Sequence, residues 1–217
     1  MKHAIILLLC LMLCNFAFGQ TDYYDYTDGK RFTVEGVTYS IENHMGGYMD
    51  RAKSVGIIME DVNNFRFETF GQYADGTFVK DDDTQGDTRG VIISRPYYRS
   101  YIYSALRKAF TKEELAAHGN SAIILYTVVD NQGNILETAS YFRITKKYVI
   151  QPEQIATLER ELRKNLKFEL NQEKARKLNY FQGQITILFK HYANFVEVEL
   201  PNGGGLTPVD GKPAAQP

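Results

Sequence analysis

The chain has 217 residues, 25 basic and 26 acidic side chains, and a net charge of −1. That balance excludes the basic surface needed for nucleic acid and the cationic face needed for anionic membrane. With 44% hydrophobic residues, the length suffices for a substantial core, in one domain or two small ones.

The first stretch, MKHAIILLLCLMLCNFAFGQ, sets a basic Lys2-His3 before an apolar run and ends on Ala17-Phe18-Gly19. Small residues at −3 and −1 after such a run predict a secretory signal peptide, residues 1–19, with the mature chain starting at Gln20. The apolar run is short for a membrane span, which needs about 20 residues. Both cysteines of the chain, Cys10 and Cys14, lie in this leader. Lipid attachment there would require a small residue before the cysteine, and Leu9 and Leu13 stand in that place. Cleavage therefore leaves a chain with no disulfide, thiol nucleophile or thiolate ligand. Residues 20–30, polar and tyrosine-rich, read as a flexible leader.

Residues 31–95 read as β-rich. RFTVEGVTYSI alternates around a Glu35-Gly36 turn, which predicts a hairpin. VGIIME and FRFETF read as further strands. Asp75-Gly76 in YADGTFV marks another turn, and the fully apolar GVIIS suits a buried strand. The acidic run DDDTQGD offers Asp81, Asp82, Asp83 and Asp87 as oxygen donors for calcium. Calcium loops alternate their ligands so that the side chains converge. Three adjacent aspartates do not alternate, which favours a solvated loop.

Residues 96–200 mix helix and strand. Tyr98, Ile102, Ala105, Leu106 and Ala109 fall on one helical face, and Tyr97 and Tyr101 fall outside it. Thr111 with Glu114 predicts a capping box, and Gly119 a helix stop. Ala122–Val129 is apolar on both faces, as a central strand should be. It turns at Asp130-Asn131-Gln132-Gly133 into a half-polar partner. Pro152–Phe168 is predicted as a helix with Pro152 in its first turn and a stripe of Ile155, Leu158, Leu162 and Leu166. QITILFK, from Gln184, is the last strong strand, with FVEVEL as an extension of the sheet. Residues 201–217, with four glycines and four prolines, read as a disordered tail.

Chemical motifs are sparse. His44, His118 and His191 have no metal spacing, and His118 suits a capping or surface place at a helix end. No nucleophile elbow, phosphate-binding loop or dinucleotide fingerprint occurs, so no enzyme, cofactor or metal is expected. The 15 tyrosines and 13 phenylalanines serve either a β-rich core or a peptide- or sugar-binding surface.

The segment from about Ser100 to Lys190 resembles the TonB C-terminal domain. The resemblance rests on Gly119 before a strand, the Asp130-x-x-Gly133 hairpin, the helix ending in Leu166-Lys167-Phe168, and GQITILF. The sequence departs from that family at YFRITKKYVI, where a Ser-Ser-Gly stretch is usual, and lacks a Tyr-Pro pair before Gly119. It also lacks the Pro-rich spanning linker of an energy transducer. The implied fold is α+β, a β-rich first part followed by an antiparallel sheet with helices on one face. In that family the last strand pairs with a receptor peptide, and the role falls here on Thr186, Leu188 and Lys190. The expectation is an exported, periplasmic or extracellular, non-enzymatic protein that binds a protein or peptide of the cell envelope. The rivals are a carbohydrate-binding protein using exposed tyrosines and a hydrolase with unlocated carboxylates.

Overall fold

The computed structural model describes residues 28–44, 55–80, 88–95, 97–119, 121–144, 149–193, 195–198 and 205–208. The stretch read as a signal peptide, the rest of the sequence before Asp28, the Asp81–Asp87 run and most of the stretch read as a tail lie outside them. The fold is mixed α+β: a seven-stranded antiparallel sheet with four helices. In chain order come β1 (Arg31–Val34), β2 (Val37–His44), β3 (Val55–Asp61) and β4 (Gly71–Tyr73). Then follow α1 (Tyr98–Ala109), α2 (Lys112–His118), β5 (Ala122–Asp130), β6 (Ile135–Ile144), α3 (Pro152–Asn165), α4 (Gln172–Ala175) and β7 (Leu178–Leu188). A separate ribbon pairs β8 (Phe195–Val198) with β9 (Gly205–Pro208). The sheet order is β1-β2-β3-β6-β5-β7-β4, so strands from either side of Pro96 share one sheet.

The turns form where their residues tolerate left-handed backbone. Glu35 and Gly36 both have positive φ, 49° and 83°, as a two-residue hairpin turn requires. Asp130 Oδ1 accepts the N–H of Gln132 at 2.9 Å and of Asn134 at 2.8 Å, which closes the β5–β6 turn. Gly133 in that turn has φ 89°, and a Cβ there would sit 2.1 Å from the Phe168 carbonyl oxygen. The capping box of α2 is present: Thr111 Oγ1 accepts from Glu114 N, and Glu114 accepts from Thr111 N.

Because side chains alternate across a strand, one face of the sheet carries Ile41, Ile57, Phe142, Ile123, Leu125 and Ile187, all buried. Ile155, Leu158 and Leu162 of α3 and Tyr98, Ile102 and Leu106 of α1 belong to the same core cluster. β5 is central, between β6 and β7. Within this core Glu159 is 2% exposed. Its carboxyl accepts from Ser140 Oγ at 2.5 Å and Thr138 Oγ1 at 3.1 Å.

Several elements differ from the sequence-based expectation. FRFETF forms only a 3-10 turn at Arg66–Glu68, with Phe65 and Phe70 exposed. The segment is tied to β6: Arg66 N–H donates to the Glu137 side chain at Oε2, 2.9 Å, and the side chain of the preceding Asn64 donates from Nδ2 to the Thr138 carbonyl at 2.9 Å. GVIIS makes one isolated bridge, Ile92 with Leu170, rather than a strand. α3 stops at Asn165, because Leu166 and Phe168 are drawn into an extended segment against the β5–β6 turn, where Phe168 N–H donates to the Gly133 carbonyl at 2.8 Å. FVEVEL joins β9 instead of the main sheet, and Gly205–Pro208 is a strand within the stretch read as a disordered tail. His118 is buried, stacked on Phe189 at 4.8 Å, and burial holds its imidazole below the usual value.

Candidate functional site

β7 is a long strand with about half of one side left without a strand partner among the described residues. On its inner side all of Tyr180–Leu188 pairs with β5. On its outer side β4 covers only Leu178–Phe181, and Gln182 N–H donates to the Phe70 carbonyl at 3.1 Å. Backbone groups alternate sides along a strand. The bond from Gln182 therefore aims the N–H and C=O of Gln184, Thr186 and Leu188 outward. Among the described residues no strand lies beside them.

The sequence-predicted edge residues fare unequally. Thr186 is exposed in the middle of the open stretch and Leu188 is half-buried at its end. Their neighbours Ile185 and Ile187 point into the core, as the alternation requires. Lys190 is not on the strand. The backbone turns into a 3-10 segment, Phe189–His191, where Tyr192 N–H donates to the Phe189 carbonyl at 2.9 Å. Burial of Phe189 against Phe110 and His118 pulls the chain off the edge before Lys190.

A groove of about 310 Å³ runs along this open edge, between β7 and the start of α1. Tyr98, Ile102, Phe168 and Tyr192 line it beside Gln184 and Thr186. Arg95 and Arg99 stand at its rim. Arg95 is neutralised: its Nε donates to Glu169 Oε2 at 2.6 Å, and a second guanidinium nitrogen pairs with Oε1. That pairing holds the Glu169 carboxyl below its usual range. The Tyr98 hydroxyl donates to the Ile93 carbonyl at 2.9 Å and accepts from Glu169 N–H at 2.5 Å. Arg99 is exposed and makes no ion pair among the described residues. Burial raises the Tyr192 phenol, and the nearby Arg99 charge acts against that rise.

Sequence reasoning found the strand and missed the groove. Its lining comes from three stretches separated by many residues, and α1 contributes Tyr98 and Arg99 from adjacent positions that a helical-stripe reading sorts onto different faces. The expected exposure of Tyr97 and Tyr101 is present, next to the groove residue Tyr98.

No family model matches this chain, and no curated protein matches it. Its fold is similar to the crystal structure of a DUF5043 family protein from Bacteroides uniformis, an uncharacterised family. The TM-score is 0.53 at 18% identity, covering 75% of this chain and 86% of that one. The likeness is one of fold alone, and the finer TonB-like assignment rests on sequence resemblance. Among the described residues no helix is long and apolar enough to cross a membrane.

Proposed function

We propose that this is an exported, non-enzymatic protein that binds an extended peptide of a cell-envelope protein by taking it up as an added strand on β7. The observation that carries the reading is the main chain at Gln184, Thr186 and Leu188, which has no strand partner on its outer side among the described residues and is flanked by an aromatic groove. A row of free N–H and C=O groups gives affinity to any extended backbone, and the flanking groove selects alternate side chains. Arg99, with no acid partner among the described residues, favours a peptide bearing Asp or Glu on the groove side.

The order β5, β6, α3, β7 supports carrying over the strand-pairing role that the TonB-like resemblance implies. The added strands β1 to β4 extend the sheet beyond that pattern. Export supports an envelope partner, and it makes its own prediction. N-terminal sequencing of the exported protein begins at Gln20, and a mature chain starting at a lipidated Cys14 would overturn the assignment.

Thr186→Pro is the direct probe of strand addition. Proline removes an N–H from the open side of β7 and none from its ladder with β5. Displayed random peptides selected on the mature chain should enrich extended, β-branched sequences with an acidic residue. Thr186→Pro loses them while melting like the wild type, and Arg99→Glu weakens them severalfold. Equal capture by Thr186→Pro and wild type would remove strand pairing as the mode of binding.

A further inference from the structure

A second concavity, of about 450 Å³ and sharing no lining residue with the groove, lies between α3 and the β1–β2 hairpin. Ligand pockets occupy this size range. Val34, Val37 and Ile135 give it an apolar wall, Tyr39 and Glu159 line its buried part, and Glu35, Arg160, Arg163 and Lys164 stand around it.

Two features separate this cleft from an ordinary dent beside a helix. Tyr39 is only 5% exposed, yet its hydroxyl makes no hydrogen bond with any described residue. Tyr39 lines the cleft, and its hydroxyl is not fully enclosed. Buried phenols ordinarily find a partner. Glu159 Oε1 and Oε2 each accept one internal hydroxyl and retain further capacity toward the cleft. The second feature is charge. Arg160 is paired with Glu35, which also braces the positive-φ turn of the hairpin. Arg163 spends one N–H on the Leu136 carbonyl at 2.7 Å and keeps the rest of its fork. Lys164 is exposed and has no ion pair among the described residues. The rim thus carries a surplus of cation above a neutral hydroxyl and a carboxyl that already sits among hydroxyls.

We infer that this cleft binds a small polyhydroxylated carboxylate of monosaccharide size, such as a sugar acid, with its carboxylate at Arg163 and Lys164 and its hydroxyls at Tyr39 and Glu159. The bidentate fork of an arginine matches a carboxylate, and a lysine adds a point charge beside it. The apolar wall suits the C–H face of a ring. A neutral sugar would leave the rim cations unused, and a simple fatty acid would leave the Tyr39 hydroxyl without a partner.

Isothermal titration calorimetry of the mature chain with D-glucuronate, D-glucose and propionate tests the assignment. Glucuronate binds the wild type one to one, and glucose and propionate bind at least about tenfold more weakly, the loss expected for an unsatisfied charged or polar group. Tyr39→Phe, which removes only the hydroxyl, weakens glucuronate about tenfold. Lys164→Gln, an exposed change that leaves the fold intact, weakens it roughly threefold through its screened charge. No glucuronate binding at millimolar concentration overturns the inference. So does glucose binding as tightly as glucuronate, or affinity unchanged in both variants.

Discussion

Leu162→Ala lowers the unfolding free energy by about 2–5 kcal/mol, whereas Lys164→Ala, two residues on, changes it by less than about 0.5 kcal/mol. Leu162 is 0% exposed and shares the core with Leu158 and Ile155, at the spacing that puts all three on one side of α3. That side meets α1 and the sheet, so truncation leaves a cavity that the long strands above it cannot close. The helix ends are already well served by Pro152 in the first turn and Arg163 and Lys164 in the last. Capping therefore does not buffer the loss. Urea denaturation of both variants reads the difference, and equal midpoints would show that α3 does not hold its apolar stripe against the sheet.

Stability also falls as pH rises from about 4.5 to about 7, through Glu159. Burial pushes its carboxyl up to about 7. Hydrogen bonds from Ser140 and Thr138 and the charge of Arg163 oppose that push, and Asp61 adds to it. Between 4.5 and 7 the folded chain keeps a proton that the unfolded chain releases. The contribution is complete below the unfolded value, declines through that window and is gone above the folded value. The span corresponds to about 3 kcal/mol. His118 acts in the opposite sense: burial lowers its value, so its contribution is present at high pH and lost as pH falls. The comparison that isolates Glu159 is wild type against Glu159→Gln. The variant keeps a group that Ser140 and Thr138 can bond, loses the slope, and above pH 7 exceeds the wild type by about 3 kcal/mol. Parallel curves for the two proteins would contradict a proton held on Glu159.

Much of the fold is legible where local pattern and tertiary demand agree. The β1–β2 turn, the α2 capping box, the β5–β6 turn at Gly133 and the α3 stripe all follow from residues within a few positions of one another. The failures share a different cause. FRFETF alternates like a strand, but Asn64 and Arg66 find better partners in the Thr138 carbonyl and Glu137, more than 70 residues away. Leu178–Gly183 mixes apolar and polar residues without regular alternation, and only its pairing with β5 on one side and β4 on the other makes it the first half of β7. Lys190 reads as part of the last strand because nothing local reveals that Phe189 packs on His118. The groove and the cleft are harder still. Tyr39 reads as one more core aromatic in an alternating strand, and Glu159 as the solvent-facing neighbour of Leu158. Their meeting depends on which side of the sheet α3 covers.

Amide hydrogen exchange along β7, read residue by residue on the mature chain, tests the open edge most directly. The account predicts slow exchange at Ile185 and Ile187, whose N–H groups face β5, and fast exchange at Gln184 and Thr186. It further predicts that Gln184 and Thr186 become slow when a selected peptide is added. Uniformly slow exchange along Gly183–Leu188 in the free protein, or peptide binding that leaves Gln184 and Thr186 fast, would contradict strand addition at β7.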